Sequence, residues 1–362
     1  MLIVAGTDSR ESVTLVLTAA LEVCSKAAIS SVTSDSNVQL EVEVKKMMKI
    51  LLGYDGSESA DAALHDLKRA GLPDEAEALI VSVADIMMSP ATSNYEIAGQ
   101  ALTSRRLTAG LMLAEKQTAR VLSEAKAFTT IASERVRSYF PGWDVRAEVL
   151  AGQPSQELIR KADEWKPDLV VVGSHGHSLA GRLILGSVSK KIVTDSHHSV
   201  RVTRGTPGMN EFDPIRIVIG IDGSSEAKHA VQAVGRRIWP EGTEVRIIAV
   251  DDGTPSTISQ ILPIAAATIR NEKQELPFDT LRMVDWAKAE LTAIGLNVSV
   301  AIEKGDPQRV LIHEAQKWDA DAIFVGGRRF NSAFERFRLG SVATGLVTSA
   351  HCSIEVARNP IS

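Results

Sequence analysis

VVGSHGHSLAGRLILGSV, residues 171–188, reads as a buried strand, a glycine-spaced loop and the start of a helix. Gly173, Gly176 and Gly186 follow a G-x2-G-x9-G-Ser spacing, and Ser187 stands where the helix begins. Glycine allows a positive φ and, having no Cβ, lets a ligand approach bare main chain. The first N–H groups of a helix have no partner within it and sit at the positive end of its dipole. Ser187, Val188 and Ser189 are thus placed to donate to phosphate oxygens, and the segment points to a nucleotide phosphate site.

Outward from this loop, the chain repeats itself. KILLGYDGSESADAAL at 49–64 aligns with RIVIGIDGSSEAKHAV at 216–231, which sets Asp55 against Asp222. AGQPSQELIRKADEWKPDLVVVG at 151–173 aligns with KGDPQRVLIHEAQKWDADAIFVG at 304–326, pairing Trp165 with Trp318 and Asp168 with Asp321. The ends also agree, TDSHHSVRVTR at 194–204 against TSAHCSIEVAR at 348–358. Such self-similarity marks a tandem duplication of one domain of roughly 150 residues, a common domain size.

Short apolar runs ending in turn residues read as parallel strands, and they alternate with helical periodicity. In the first unit strands are expected at 50–54, 78–83, 145–149, 168–172 and 199–203, with helices near 57–70, 102–139, 153–165 and 187–195. The second unit repeats the strands at 217–221, 245–250, 298–302, 322–325 and 353–356. Strand–helix alternation specifies βαβ units, hence an α/β fold with a parallel sheet and helices on both faces. Ligands of such sheets bind beyond the carboxyl ends of the strands, where Asp55, Val83 and Gly173 fall. Leu107, Leu111, Leu113, Ala114, Val121, Leu122 and Ala125 form an apolar stripe that reads as core packing. Gly205–Pro214 reads as a linker.

Net charge is −5, so no basic field draws nucleic acid, and no apolar run approaches the ~20 residues of a spanning helix. Cys24 and Cys352 lie far apart without C-x2-C spacing, against a thiolate metal site or disulfide framework, and a cytoplasmic location is expected. Residues 1–46 have no counterpart in the second unit. Val13–Leu21 is apolar, but Asp8, Arg10 and Glu11 are wrong flanks for a signal peptide, so 1–46 is expected to lie outside the fold. The expected division is then 1–46, a first domain 47–204, the linker 205–214 and a second domain 215–362.

An Asp after the first strand, the G-x2-G-x9-G-Ser loop after the fourth and a closing strand make 47–362 resemble the universal stress protein family in tandem form. The resemblance implies two Rossmann-like domains, each an open five-stranded sheet of order 3-2-1-4-5, and ATP with Mg as ligand. It places Asp55 near the phosphates or their metal, main chain at Val83 against adenine, and Gly173, Gly176, Gly186, Ser187 and Val188 around ribose and phosphates. It also implies that the halves pack as an internal pseudo-dimer through their last strands, 199–203 and 353–356; association of two chains stays open. Cys-Pro, often found in this family, is absent at 198–199 and 352–353.

The second copy, VGGRRFNSAFERFRLGSV at 325–342, keeps Gly326, Gly340 and Ser341 but is one residue longer and carries Arg329 or Phe330 in place of the middle glycine. Its site, carried over as Asp222, Val250, Gly326, Gly340, Ser341 and Val342, is expected to be reshaped, with Arg328 and Arg329 offering side-chain charge to an anion. Asp55 alone could be a mere turn former, since Asp-Gly-Ser is a turn composition, and its return as Asp222 favours function. His175, His177, His197 and His198 lack acidic or cysteine ligands at metal spacing and are expected on loops or surface. Arg105, Arg106, Lys190 and Lys191 read as solvated faces. GHSLAG at 176–181 mimics a nucleophile elbow, with Ser178 followed by Asp195 and His197 or His198, but Gly173-Ser174-His175 intervene between strand and turn. No P-loop, no G-x-G-x2-G and no clear general base is present. The expectation is a nucleotide-responsive stress regulator with slow or no hydrolysis and an unidentified protein partner; a scaffold with degenerate sites is the competing class.

Overall fold

The computed structural model describes residues 47–86, 104–176, 185–204, 213–253, 276–327 and 340–359, without the side chains of 104–111. All of them fall in one unit, Met47–Ser362. In the first half β1 (Met48–Gly53), β2 (Ala76–Ala84), β3 (Asp144–Ala151), β4 (Leu169–Gly173) and β5 (Ser199–Thr203) alternate with α1 (Glu58–Leu67), α2 (Ser104–Tyr139), α3 (Pro154–Trp165) and α4 (Ser187–Asp195). The second half repeats this with β6 (Arg216–Ile221), β7 (Glu244–Asp251), β8 (Asn297–Lys304), β9 (Ala322–Gly326) and β10 (Ser353–Ala357). Its helices are α5 (Ser225–Gly235), α6 (Phe278–Ala293), α7 (Pro307–Lys317) and α8 (Ser341–Ser349).

The ten strands form one sheet of order β3-β2-β1-β4-β5-β10-β9-β6-β7-β8. Each half is thus 3-2-1-4-5 and parallel throughout, and the halves join where β5 meets β10 antiparallel. Period-2 alternation splits the core between two faces. Leu51, Val170 and Val172 turn to one face with Leu158 of α3 and Ile192 of α4, in a core that continues through Leu311 of α7 and Leu346 of α8. Ile50, Leu52 and Val171 turn to the other, against Leu64 of α1 and Val136 of α2. The second half keeps its own core there, from Ile217 and Phe324 to Val231 of α5 and Leu291 of α6.

The repeated aspartates before the fourth strands are pins. Asp168 accepts the Lys49 N–H at 2.8 Å, and Asp321 accepts the Arg216 N–H at the same distance, so each ties the first strand of its half to the fourth. Across the joint, Arg204 donates to the Val347 and Thr348 carbonyls at the end of α8, while its repeat partner Arg358 donates to Val193 of α4 and to His198. Each half thereby supplies the cation that meets the carbonyl end of the other's last helix.

Of the stripe expected to pack in the core, Ala125 is buried and Val121 half-buried, but Leu113 is 68% exposed, its neighbour Met112 65%, and Ala114 and Leu122 are exposed as well; the helix packs beyond the stripe instead, through Ala132 and Val136. Leu107 and Leu111 lie outside the described side chains. A 36-residue helix runs about 54 Å, whereas strands of 8 and 9 residues give it about 30 Å of sheet to lie on. The helix outruns its support.

Candidate functional site

β1 delivers Tyr54 and Asp55 to the carboxyl edge of the sheet. There the chain turns through Gly56, whose φ of +77° suits glycine, and Asp55 Oδ1 accepts the Ser57 N–H at 3.0 Å. The turn-former reading of Asp55 is therefore correct for one oxygen. The other faces the glycine loop: a Cβ on Gly176 would lie 2.8 Å from Asp55 Oδ2.

Serines from two helices hold that loop in place. Ser57 caps α1, accepting the Ala60 N–H at 3.2 Å, and its hydroxyl reaches the His175 carbonyl at 3.5 Å. Ser59 Oγ accepts the His175 N–H at 3.1 Å, and Ser189 of α4 donates to the Gly173 carbonyl at 2.6 Å. The Gly186 N–H closes the loop on the Ser174 carbonyl at 2.7 Å. Ser57, Ser59, Ser174 and Ser189 are all buried. Sequence reading missed these four as loop supports. Comparing the repeats could have found three of them, since Glu226, Gly327 and Ala343 stand opposite Ser59, Ser174 and Ser189.

The loop glycines work by close approach. Among the described residues with positive φ, none of Gly173, Gly176 and Gly186 occurs, contrary to the left-handed turn allowed for them above. A Cβ on Gly173 would meet the Ser59 carbonyl oxygen at 2.7 Å, and one on Gly186 would meet His175 Cα at 3.2 Å. Gly186 also serves as N-cap of α4, with Ser187 and Val188 following in the first turn. Val83 lies near the carboxyl end of β2, opposite Leu150 of β3, and is partly buried against the same core as Val188. β2, β1 and β4 are neighbours, so Val83, Asp55 and Gly173–Gly176 share one sheet edge at the point where strand order reverses.

The profile of the universal stress protein family matches residues 47–204 and 215–358. The chain belongs to the universal stress protein family. A universal stress protein of Mycolicibacterium smegmatis is 24% identical over 314 residues, 85% of this chain and 96% of that one. One of Thermus aquaticus is 30% identical over 155 residues, 43% of this chain and 97% of its own length. The crystal structure of a universal stress protein from Archaeoglobus fulgidus shares the fold at a TM-score of 0.56, with 20% identity over 86% of this chain and 98% of that one.

In the second half of this universal stress protein the Asp-Gly-Ser turn is preserved. Asp222 Oδ1 accepts the Ser224 N–H at 3.0 Å, Gly223 has φ +81°, and Ser224 caps α5 with a 3.2 Å bond from Ala227 N. Gly326 approaches α5 as Gly173 approaches α1: its Cβ would lie 2.6 Å from Ala227 N. Val250 lies near the end of β7, and Gly340 caps α8 ahead of Ser341 and Val342. Ser341 and Val342 line a cavity of about 450 Å³ with Asp252 and the Gly305–Gln308 turn; Asp222, Val250 and Gly326 do not line it. Asp306 in that turn replaces Gln153 of the first half and caps α7 through the Arg309 N–H at 2.9 Å. A carboxylate there opposes a phosphate.

Ser178, His177, Arg328, Arg329 and Phe330 lie outside the described residues. His197 Nδ1 is 3.1 Å from Asp163, and His198 Nδ1 is 2.9 Å from the Pro167 carbonyl. Both precede β5, which runs parallel to the five-residue β4, so they lie at the sheet edge opposite Gly173, about 16 Å away. Asp195 pairs with Lys191 at 3.8 Å. These residues give the loop no catalytic base. Among the described residues no three His, Cys, Asp or Glu side chains gather as a metal centre, and no helix is long and apolar enough to cross a membrane.

Proposed function

We propose that this protein binds ATP with Mg chiefly in its first half and acts as a nucleotide-responsive regulator with slow or no hydrolysis. The observation that carries the reading is the meeting of Asp55 Oδ2 with Gly176, where the space a Cβ would fill lies 2.8 Å from a carboxylate. Main chain of the loop and the first N–H groups of α4 would hold phosphates. Asp55 would face the metal, whose charge shields phosphate oxygens, and Val83 would offer its backbone to the adenine. The cradle fits such a group because glycine leaves the backbone bare and buried serines fix it. The second site, Asp222, Val250, Gly326, Gly340, Ser341 and Val342, lacks the counterparts of the Ser59 and Ser189 hydroxyls, and this supports the preference for the first. The division into 1–46 outside the fold, 47–204, the linker 205–214 and 215–362 belongs to the same proposal, as does a cytoplasmic place of action.

Calorimetric titration of the full chain with Mg·ATP tests it. One site per chain is expected, two would overturn the first-half preference, and none would overturn the nucleotide reading. The scaffold reading draws on Met112 and Leu113, which α2 holds out in solvent. It predicts partner binding that is indifferent to ATP.

A further inference from the structure

Where β5 meets β10, Val202 faces Ile354, Arg201 faces Glu355 and Val200 faces Val356. Arg201 and Glu355 occupy the same position in the two repeats, so the approximate twofold axis relating the halves passes through this one pair. The flanking pairs are aliphatic and interchangeable. At the axis itself, any pairing of like halves would set a residue against its own copy.

This pair is buried and supported from both halves. Arg201 and Glu355 are each 1% exposed. Arg201 donates to Asp66 of α1 at 2.6 Å and to Glu355 at 3.4 Å, and Glu355 accepts from Arg237 at 2.5 Å. Ser353 crosses the joint to donate to Asp66 at 2.7 Å. Both guanidiniums lie over the Phe324 ring, at 6.0 and 5.2 Å. Burial works against the Arg201 charge, but Asp66 and Glu355 outweigh it and hold the guanidinium above its ordinary pKa. Neither Asp66 nor Arg237 is repeated; Ala233 and Ala70 stand at the matching places.

Asp66, Arg201, Glu355 and Arg237 therefore form a row that alternates minus, plus, minus, plus. Two first halves would give minus, plus, plus, minus, and two second halves plus, minus, minus, plus, each with like charges in contact at the centre. A buried ion pair adds little net stability over apolar side chains, whereas an unmatched buried charge is strongly unfavourable. Like charges face to face exclude wrong partners.

We infer that this row is a partner code: the β5 edge accepts the β10 edge of a second half and refuses another first half. Its occupant is the second half of this chain, its own or that of another copy. Copies can then associate through this edge only by exchanging halves.

The test uses full chains with the charges of one half reversed, Asp66→Arg with Arg201→Glu or Glu355→Arg with Arg237→Glu, and a chain carrying all four changes. Reversing one half gives plus, minus, minus, plus or minus, plus, plus, minus, which sets like charges face to face and is expected to lower the melting temperature by on the order of 10 °C. Reversing all four restores the alternation as plus, minus, plus, minus and should recover most of that loss; a loss equal to the sum of the two half-reversals would overturn the code. The two half-reversed chains are also refolded together, near the tether's effective concentration of on the order of 1 mM. A species of twice the chain mass, absent from either alone, is expected, because each exchanged joint then alternates in sign. A mixture that stays at chain mass, or that fails to fold as each half-reversed chain does, would refute partner choice by charge.

Discussion

Adding one methyl at Gly176 separates the site from the scaffold. Gly176 does not take a left-handed φ, so alanine can adopt its backbone. The new Cβ would stand 2.8 Å from Asp55 Oδ2, and ordinary contact begins at 3.4 Å, so the gap must open by about 0.6 Å. Asp55 cannot swing aside freely, because its Oδ1 holds the Ser57 N–H at 3.0 Å. Giving up that bond costs about 1 kcal/mol, and lifting the loop instead strains the Ser59–His175 bond by a similar amount. Stability should therefore fall by only about 1 kcal/mol. Binding should fall further, because a charge-assisted contact to the ligand or its metal is worth roughly 1.5–3 kcal/mol, about 10–150-fold in affinity. Calorimetry with Mg·ATP, paired with thermal melting of the same preparation, reads both. An affinity equal to the parent's would refute the assignment of this loop.

Asp55→Asn keeps an oxygen for the Ser57 N–H and should leave stability within about 0.5 kcal/mol while lowering Mg·ATP affinity at least about tenfold; affinity equal to the parent's would remove Asp55 from the site. Gly173→Ala and Gly326→Ala press a methyl against backbone, the Ser59 carbonyl at 2.7 Å and Ala227 N at 2.6 Å. Each should cost about 1–3 kcal/mol in urea unfolding, and a neutral result would contradict the close approach. Burial pushes the Cys352 thiol up to about 12, so at mildly alkaline pH it stays protonated as well as covered. In a Cys24→Ser chain it should resist Ellman's reagent until the protein unfolds, and rapid labelling of the native state would show the core open.

Elements set by local signals were legible to the residue. Ser187–Asp195 and Ser199–Thr203 match their sequence expectation because a glycine-serine start marks the one and the alternation around Val200 and Val202 the other. The long helix was legible in period but not in burial, since periodicity names a face and says nothing of how much sheet lies beneath it. The loop glycines were found for two reasons, of which the positive φ did not hold. Positive φ and close approach call for the same residue, and only coordinates show that the first belongs to Gly56 and Gly223, the second to Gly173 and Gly176. Ser59 and His175 meet across 116 residues, and Arg201 and Glu355 across 154; aligned repeats do not reveal that such positions face one another.

The duplication also changes what repetition can say about function. Asp222 repeats Asp55 down to the 3.0 Å bond to the serine two residues on, and both serines cap their helices at 3.2 Å. Asp168 and Asp321 pin their strands at the same 2.8 Å. Every one of these contacts serves folding whether or not a ligand binds, so selection for the fold alone would retain them. The return of Asp222 therefore carries no weight for a second nucleotide site, although its sequence invites that reading. The informative positions are those that folding leaves free to vary. Ser59 has become Glu226, Ser189 has become Ala343, and no glycine stands in place of Gly176. In the proposed reading these are the residues that hold or clear the cradle of the first half, and their joint loss supports a binding preference for that half.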